Sequence, residues 1–287
     1  MKIKAFKHLD DNAFNEVINL EKICKKYDSL NANVFLDTSQ NYYHNINSVF
    51  FLYDGDELIS VLSMLIPTPE EAEISAFTLP EYRRKGYFGK LLSKAVQELI
   101  NFHIPNILFV CESQSVSGKI VIDKLNAQYL FTEFLMRFNQ EQHTTEDIYR
   151  ISLIKLDLKS FEKTIDISMR TFDESYEEAN SRINDCLESE FREQYIAVLN
   201  DEIIGLCSIN QEDDEVSIFG LGIVPEYRGN GYGRELLNII VDSLIERGRP
   251  KITLMVTDEN SSAIGLYKQL GFEIAATIEY YRKKVGD

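Results

Sequence analysis

Several features that often reveal function are scarce in this chain of 287 residues. Lysine and arginine number 30 against 46 aspartates and glutamates, which gives a formal net charge of −16 and a pI near 4.8. A surface of that sign repels the phosphates of nucleic acids and anionic membranes, so the composition excludes both as default partners. The acidic balance leaves open either a cationic substrate or a role in solubility alone.

Cysteine and long apolar runs are also limited. The four cysteines, Cys24, Cys111, Cys186 and Cys207, are far apart and form no Cys-x-x-Cys pair. That spacing predicts reduced, structural thiols and no metal site. No apolar leader and no apolar run of membrane-spanning length is present, so we expect a soluble, cytoplasmic protein.

Histidine is missing from the second half of the chain, because all four histidines lie at or before position 143. Any proton transfer in that half must therefore use other side chains or water. Hydrophobic residues make up 44% and charged residues 26% of the sequence. This length and balance predict two domains, each able to bury a core.

The most informative stretch is LGIVPEYRGNGYGRELL, residues Leu221 to Leu237. It predicts a buried strand, a glycine-rich turn and a helix. Gly229, Gly231 and Gly233 let backbone N–H groups converge without interference from Cβ atoms. The following helix directs its positive end at the same place, and Arg228 adds a cation, so the stretch predicts a diphosphate pocket. A tight turn without a ligand is the alternative on spacing alone.

Two common phosphate motifs do not fit this stretch. A Rossmann turn requires an acidic residue after the next strand at a set distance, and none follows here. A P-loop ends in Gly-Lys-Ser/Thr, which this turn lacks.

A second string repeats the first. Residues Leu79 to Leu92, LPEYRRKGYFGKLL, align without a gap with Val224 to Leu237, at an offset of 224 − 79 = 145. The same offset continues through the apolar face of the following helix. The chain is therefore interpreted as a duplicated unit. The polar stretch 139–147 is the predicted linker, which gives domains at 1–140 and 148–287.

Two motifs carry a resemblance to a known family. Arg228, Gly231 and Gly233 fit an Arg-x-x-Gly-x-Gly turn after a strand that ends in proline. The run from Asn260 to Phe272 fits Asn-x-x-Ala-x-x-Leu-Tyr-x-x-x-Gly-Phe. Both resemble signatures of the GNAT N-acetyltransferases. The resemblance implies an α/β (α+β) fold class: two tandem GNAT folds, each with a mixed, mostly antiparallel central sheet flanked by helices.

The resemblance also implies roles for particular residues. The cosubstrate is expected to be acetyl-CoA, with no metal. Tyr267 is the expected general acid that protonates the CoA sulfur, and Glu215 is the candidate base. Glu215 could equally belong to a solvated hairpin tip with Asp213 and Asp214. The residues expected to bind the CoA diphosphate and pantetheine arm are Leu221, Gly222, Ile223, Arg228, Gly229, Asn230, Gly231, Tyr232, Gly233 and Asn260.

The first repeat departs from the family pattern. The position of Tyr267 corresponds to 267 − 145 = 122, which is Ile122. An isoleucine cannot protonate a thiolate, so the first domain is interpreted as a degenerate GNAT fold. Glu73 could act as a base if that domain were active.

The sequence thus predicts an N-acetyltransferase that acts on a primary amine of a small molecule or peptide, with chemistry in the C-terminal domain. The alternative is a CoA-binding pseudoenzyme that serves as a regulatory or scaffold module. The segments expected to select the acceptor, about 31–47 and 172–190, carry no readable pattern, and neither does the oligomeric state.

Overall fold

The computed structural model describes residues 1–143, 148–212, 215–249 and 251–287. Part of the predicted linker, 144–147, and the predicted hairpin tip, Asp213 and Asp214, lie outside the described residues. The chain divides into two compact units. The N-terminal unit contains Met1–Phe134 with Ala276–Asp287, and the C-terminal unit contains Leu135–Ala275.

The N-terminal unit is a mixed sheet with helices. Its strands follow the order β1-β2-β3-β4-β5-β12, in which β4 and β5 are parallel and the other neighbours are antiparallel. Its elements are β1 (Lys2–Phe6), α1 (Asp11–Asp28), β2 (Val49–Asp54), β3 (Glu57–Thr68), β4 (Glu71–Thr78), α2 (Tyr87–Asn101), β5 (Asn106–Glu112), α3 (Val116–Leu125), most of β6 (Gln128–Phe138) and most of β12 (Phe272–Lys284).

The C-terminal unit repeats this plan. Its strands follow the order β6-β11-β10-β9-β8-β7, with β10 and β11 parallel. It contains the end of β6 and the start of β12, together with β7 (Ser152–Lys155), α4 (Phe161–Phe172), α5 (Tyr176–Glu188), β8 (Arg192–Leu199), β9 (Glu202–Glu212), β10 (Glu215–Ile223), α6 (Tyr232–Glu246), β11 (Lys251–Thr257) and α7 (Ser261–Gln269). The predicted α/β architecture, two halves that each contain a mixed sheet with helices, is confirmed.

The two compact units differ in one respect from a simple division at the linker. The last strand of the chain, β12, pairs antiparallel with β5 and is counted with the N-terminal unit. The end of β6 lies beside β11 and is counted with the C-terminal unit. The sequence prediction of domains at 1–140 and 148–287 follows the repeat, whereas the compact units follow the packing of these two strands.

Equivalent helices form in the two units for the same reason. Apolar residues recur at helical spacing, so one side of each helix packs onto its sheet. In α6 this side includes Leu236, Leu237, Ile240, Val241 and Leu244, all buried. Burial of each such side chain stabilises the fold by about 1.5–3 kcal/mol. All four cysteines are free and buried.

Candidate active site

The glycine-rich turn lies between β10 and α6 in the C-terminal unit. A short 3-10 turn, Pro225–Tyr227, follows the strand, and then Gly229 and Gly231 adopt φ values of +77° and +86°. Residues with side chains are strained in that region, which explains the glycines. Gly231 is the N-cap of α6 and supplies no side-chain hydrogen bond. The first N–H groups of α6 are therefore available to an anion, with the positive end of the helix behind them.

Arg228 is held by main-chain carbonyls. Its Nε donates to the oxygen of Ile223 at 2.9 Å, and its Nη2 donates to the oxygen of Thr171 at 2.7 Å. The guanidinium therefore ties the turn to the end of β10 and to the last turn of α4. Two of its donors are already used in this way. The assignment of Arg228 as a diphosphate ligand stays a prediction.

Arg150 is a cation at the turn that the sequence reasoning missed. Its Nε donates to Oε1 of Glu235 at 2.5 Å, and its Nη2 donates to the oxygen of Asn230 at 2.8 Å. The guanidinium carbon lies 4.5 Å from the centroid of the Tyr232 ring. Glu235 is buried in the first turn of α6, whereas the Arg150 side chain is 52% exposed. An exposed, well-oriented positive charge is therefore fixed beside the N-terminus of α6.

Asn230, the polar residue between the two glycines, supports the turn from within. Its Nδ2 donates to the oxygens of Tyr227 at 3.2 Å and Arg228 at 3.1 Å. Its own carbonyl accepts the bond from Arg150. The side chain therefore stabilises the shape of the turn, and the backbone of 229–233 remains the part that faces outward.

The strand that enters the turn leaves its parallel neighbour halfway along its length. The pairing of β10 with β11 runs from Glu215–Lys251 to Ile218–Leu254, although both strands continue. Beyond Ile218 the edge of β10 that faced β11 has no strand partner among the described residues. Exposed backbone groups of this kind can bind an extended ligand.

A β-bulge lies at the point of divergence. Phe219 pairs with Ser208 and Gly222 pairs with Leu206, so β10 places one extra residue there. Gly220, within the bulge, has a φ of +54°. A bulge re-aims the backbone groups of the strand and is common beside active sites.

The three predicted backbone ligands on β10 face different ways. The N–H of Val224 donates to Ile204 of β9. Because successive residues in a strand point their polar groups to opposite sides, Gly222 is turned towards β9 and Ile223 towards the open side. Leu221 lies in the bulge. Gly222 has a different constraint, since a Cβ there would lie 2.4 Å from Cγ2 of Thr171.

Tyr267, the predicted general acid, lies on α7 and is 8% exposed. Burial, with a smaller contribution from the charge of Cys207, raises the pKa of its phenol to about 12. The hydroxyl forms no hydrogen bond with the described residues. It is therefore a protonated donor without a protein acceptor, which is what protonation of a leaving thiolate requires.

Asn260 caps the helix that carries Tyr267. Its Oδ1 accepts from the N–H of Ala263 at 3.2 Å and from Oγ of Ser262 at 3.1 Å. Asparagine is one of the preferred N-cap residues, because its side-chain oxygen accepts from the first free N–H groups of a helix. The cap fixes the start of α7, and through it the position of Tyr267 two turns later.

Glu215, the candidate base, lies at the start of β10. Thr253 Oγ1 donates to its carboxylate at 3.0 Å. At about 3.3 Å per residue, the strand separates it from Gly220 by roughly 16 Å. Direct contact with an amine at the bulge is therefore out of its reach, and a role through relayed water stays a prediction.

The N-terminal unit contains a different acidic group. Burial, followed by the charges of Glu133 and Glu71, raises the pKa of Glu73 to about 7. Tyr280 donates a 2.7 Å hydrogen bond to Glu133, and its ring stacks on Phe131 at 4.4 Å. Glu73 thus titrates near neutrality, as a base would. Ile122, at the position of Tyr267, is buried in the apolar core of that unit.

Two further observations concern what the described part of the chain contains. No group of three or more His, Cys, Asp or Glu side chains within it is arranged to hold a metal ion. None of its helices combines the length and apolar character needed to cross a membrane.

A strand that diverges from its parallel neighbour and ends at an uncapped, glycine-rich helix N-terminus is an arrangement that can bind an anionic group. Comparison with known proteins identifies the family. The family model described as "Acetyltransferase (GNAT) family" matches residues 14–117 and again 161–272. Because these two matches cover more than half of the sequence, the chain belongs to the GNAT acetyltransferase family, whose members use acetyl-CoA as cosubstrate.

Solved structures agree on the tandem fold. A GCN5-related N-acetyltransferase from Sphaerobacter thermophilus matches 99% of this chain and 95% of its own, with a TM-score of 0.78 and 16% identity. A tandem GNAT protein from the clavulanic acid biosynthesis pathway matches 100% and 99%, with a TM-score of 0.79 and 12% identity. A GNAT-family acetyltransferase from Colwellia psychrerythraea matches 99% and 100%, with a TM-score of 0.66 and 11% identity. At these identities the likeness concerns the fold alone.

Proposed function

We propose that this protein transfers an acetyl group from acetyl-CoA to a primary amine, with the chemistry in the C-terminal unit. The observation that carries the proposal is the course of β10. The strand leaves β11 after Ile218, bulges at Gly220 and delivers its end to the open N-terminus of α6. This places exposed backbone and an anion site on one continuous segment.

The cosubstrate would be held mainly by the main chain. The N–H groups of 229–233 would bind the diphosphate, where φ values of +77° and +86° leave no Cβ in the way. Arg150 would add a fixed positive charge, in addition to the predicted contribution of Arg228. The pantetheine arm would hydrogen-bond to Leu221 and Ile223 on the open edge of β10, and the capped start of α7 at Asn260 would lie along it.

Acetyl-CoA supplies an activated thioester carbonyl. The lone pair of a neutral amine attacks that carbonyl carbon, the new C–N bond forms, and the C–S bond breaks. The sulfur takes the proton of Tyr267, and the phenol is reprotonated from solvent. A backbone N–H at the bulge would stabilise the negative charge that develops on the carbonyl oxygen.

The proton released by the amine has two routes. Water at the bulge would accept it directly, or a chain of waters would carry it to Glu215. The roughly 16 Å along β10 between Glu215 and Gly220 favours water as the immediate acceptor. Loss of Glu215 would then reduce the rate far less than loss of Tyr267.

The test is release of free thiol from acetyl-CoA in the presence of a panel of polyamines, amino sugars, amino acids and peptide N-termini. The proposal expects one class to accelerate release. It further expects Tyr267→Phe to lose that acceleration while it keeps affinity for acetyl-CoA. Equal rates for the wild type and Tyr267→Phe would remove Tyr267 from the mechanism.

The second candidate function is a CoA-binding pseudoenzyme that acts as a regulatory or scaffold module. The lack of histidine after position 143 and the distance of Glu215 from the bulge favour it. The same panel decides between the two, because a module would bind acetyl-CoA and release no thiol with any amine.

A cytoplasmic location is part of the proposal, since acetyl-CoA is available there. Four free, buried cysteines suit a reducing compartment. Cell fractionation would test this, and recovery outside the cytoplasm would contradict it.

A further inference from the structure

Arg182, on α5 of the C-terminal unit, is oriented by contacts on one edge of its guanidinium. Its Nη2 donates to Oε1 of Glu174 at 2.5 Å and to Oγ of Ser168. Ser168 also donates to the same oxygen of Glu174. The guanidinium carbon lies 5.2 Å from the centroid of the Phe172 ring. The side chain is thus fixed in place by an ion pair, a hydroxyl and an aromatic ring.

The other terminal nitrogen of Arg182 is unpaired. Nη1 is buried and forms no hydrogen bond with the described residues. A buried donor without an acceptor costs about 1–3 kcal/mol, so such groups usually have a water or ligand partner. An acceptor is therefore expected beside Nη1.

This nitrogen is directed at the bulge of β10. A Cβ on Gly220 would lie 3.1 Å from Nη1. Gly220 and Gly222 carry no side chains, so the surface of the bulge beneath α4 and α5 is formed by backbone, with Phe172 and Arg182 over it. About a quarter of the Arg182 side chain is exposed, whereas Nη1 itself is buried. A ligand of Nη1 would therefore approach along the exposed part of this side chain.

We propose that the acceptor is an amino acid with a free carboxylate, and that Arg182 Nη1 binds this carboxylate. The inference rests on the proposed transferase function and names the substrate class for the same site. An arginine with one edge free matches a carboxylate, because charge-assisted N–H···O bonds are the strong ones.

Glu174 extends the match. Its Oε1 is bonded to Arg182 and Ser168, and it places a negative charge next to the positive one. A zwitterion presents the complementary pair, with its ammonium group near Glu174 and its carboxylate on Arg182. The ammonium would lose one proton to water before its nitrogen attacks the thioester. Nη1 lies beside the bulge of β10, where the thioester carbonyl is proposed to sit. An acceptor that reaches both would therefore have its amine and its carboxylate only a few bonds apart.

The test compares each L-amino acid with its carboxamide and with its decarboxylated amine, in the thiol-release assay on the full chain. At least one free amino acid should react with a kcat/KM at least about tenfold higher than its carboxamide, the size of effect expected for a lost charge-assisted bond. This comparison uses the wild type, so it does not depend on any variant folding.

Variants then assign the effect to Arg182. Arg182→Gln should bring the acid and the amide to within about twofold of each other, while its affinity for acetyl-CoA, measured by calorimetry, is kept. Arg182→Lys, which retains the charge, should restore part of the preference. Arg170→Gln is the matched control, because Arg170 lies on α4 and its pairing is with Asp166 and Glu226.

The outcomes separate this inference from the proposed function. Equal reaction of acids, amides and decarboxylated amines overturns the carboxylate assignment and leaves the transferase standing. A preference that survives Arg182→Gln overturns the role of Arg182. Binding of acetyl-CoA without thiol release for any amine overturns the transferase and this inference together.

Discussion

The strands that lead into the two glycine-rich turns differ by one residue. In the N-terminal unit β4 pairs regularly with β3 from Ser60–Thr78 to Leu65–Glu73. In the C-terminal unit β10 carries an extra residue opposite β9, between Phe219 and Gly222. The bulge is therefore present in the unit to which we assign the chemistry and absent from this stretch of the other.

The parallel pairings show where the extra residue enters. Asn106 and Lys251 are equivalent positions, at the repeat offset of 251 − 106 = 145. Their partners, Glu71 and Glu215, are only 215 − 71 = 144 positions apart. After the bulge the offset is 145, as at Leu79 and Val224. The arginines that begin the two glycine-rich turns make the same contact, since Arg83 donates to the oxygen of Thr78 and Arg228 donates to the oxygen of Ile223. The one extra residue thus changes the backbone of β10 where it leaves β11, while the glycine-rich turn that follows keeps the same arginine contact.

The turns themselves also differ. Arg84, with a φ of +62°, stands where Gly229 stands, and Lys85 replaces Asn230. The N-terminal unit also lacks the proposed general acid, because Ile122 stands at the position of Tyr267. The comparison teaches that the two units share the form of the turn, while the bulge and the phenol distinguish the unit to which we assign the chemistry from the other.

The largest effect is expected from a matched pair of substitutions, Gly231→Glu and Gly86→Glu. Both glycines are N-caps, with φ values of +86° and +79°, so the backbone strain and the added charge are alike, although a Cβ at 231 would also lie 3.3 Å from Arg150 Nη2. A carboxylate against the diphosphate should weaken acetyl-CoA binding by about 10³-fold or more in Gly231→Glu and abolish transfer. Gly86→Glu should leave transfer within about twofold.

Calorimetry with acetyl-CoA and the thiol-release assay measure both variants of this pair. Loss of transfer in Gly86→Glu, with Gly231→Glu active, would move the active site to the N-terminal unit.

Tyr267→Phe is expected to lower kcat by about 10²–10⁴-fold, the usual contribution of a general acid, with little change in affinity for acetyl-CoA. Because burial raises the pKa of this phenol to about 12, the wild-type rate should show no loss from its ionisation below about pH 10. Tyr129→Phe, at an exposed position in the N-terminal unit, is the control. A fall in rate at pH 8 that tracks ionisation of Tyr267 would contradict the assignment.

Glu73→Gln is expected to change the pH dependence of stability. The pKa of this carboxyl is about 7 in the fold, against 4.5 in its absence, so the folded protein binds more protons between these values. Stability should therefore fall as pH rises from about 4.5 to 7, by up to about 3 kcal/mol. Removal of the charge in Glu73→Gln should recover much of that loss at pH 8.

Urea unfolding at pH 5 and pH 8 measures the effect of Glu73→Gln. Glu71→Gln serves as the control, because Arg282 pairs with Glu71 and its loss should not stabilise. If Glu73→Gln destabilised the protein equally at both pH values, Glu73 would be an ordinary ion-pair partner.

The smallest effects are expected from Arg228→Lys and Arg83→Lys. Each loses a bond from Nε to a strand carbonyl. Arg228 also loses its bond to Thr171, and Arg83 its two bonds to Asp28. A loss of about 2 kcal/mol of stability is expected in each case. Acetyl-CoA affinity should fall less than tenfold in Arg228→Lys, since Arg228 holds main chain. A fall of more than 100-fold without loss of stability would show that Arg228 is chiefly a ligand.

Much of this architecture was predictable from local patterns. The signature helices α2 and α6 follow from apolar spacing, and their relationship follows from the gapless match of Leu79–Leu92 with Val224–Leu237. The cap at Asn260 follows from residue type and position. These features depend on neighbours within a few turns, which the sequence displays directly.

Other features depend on long-range packing. A single inserted residue leaves no mark in an apolar strand, so the bulge at Gly220 was invisible. Arg150 lies 80 residues before the carbonyl of Asn230 that it binds. The placement of β6 and β12 was equally hidden, because a strand with alternating apolar residues fits either sheet.

A crystal structure of the chain with acetyl-CoA tests the assignment most directly. The account predicts the diphosphate on the N–H groups of 229–233 and the sulfur within hydrogen-bond reach of Tyr267 Oη, about 3.5 Å or less. A diphosphate bound at Gly86 instead, or a sulfur remote from Tyr267, would contradict it.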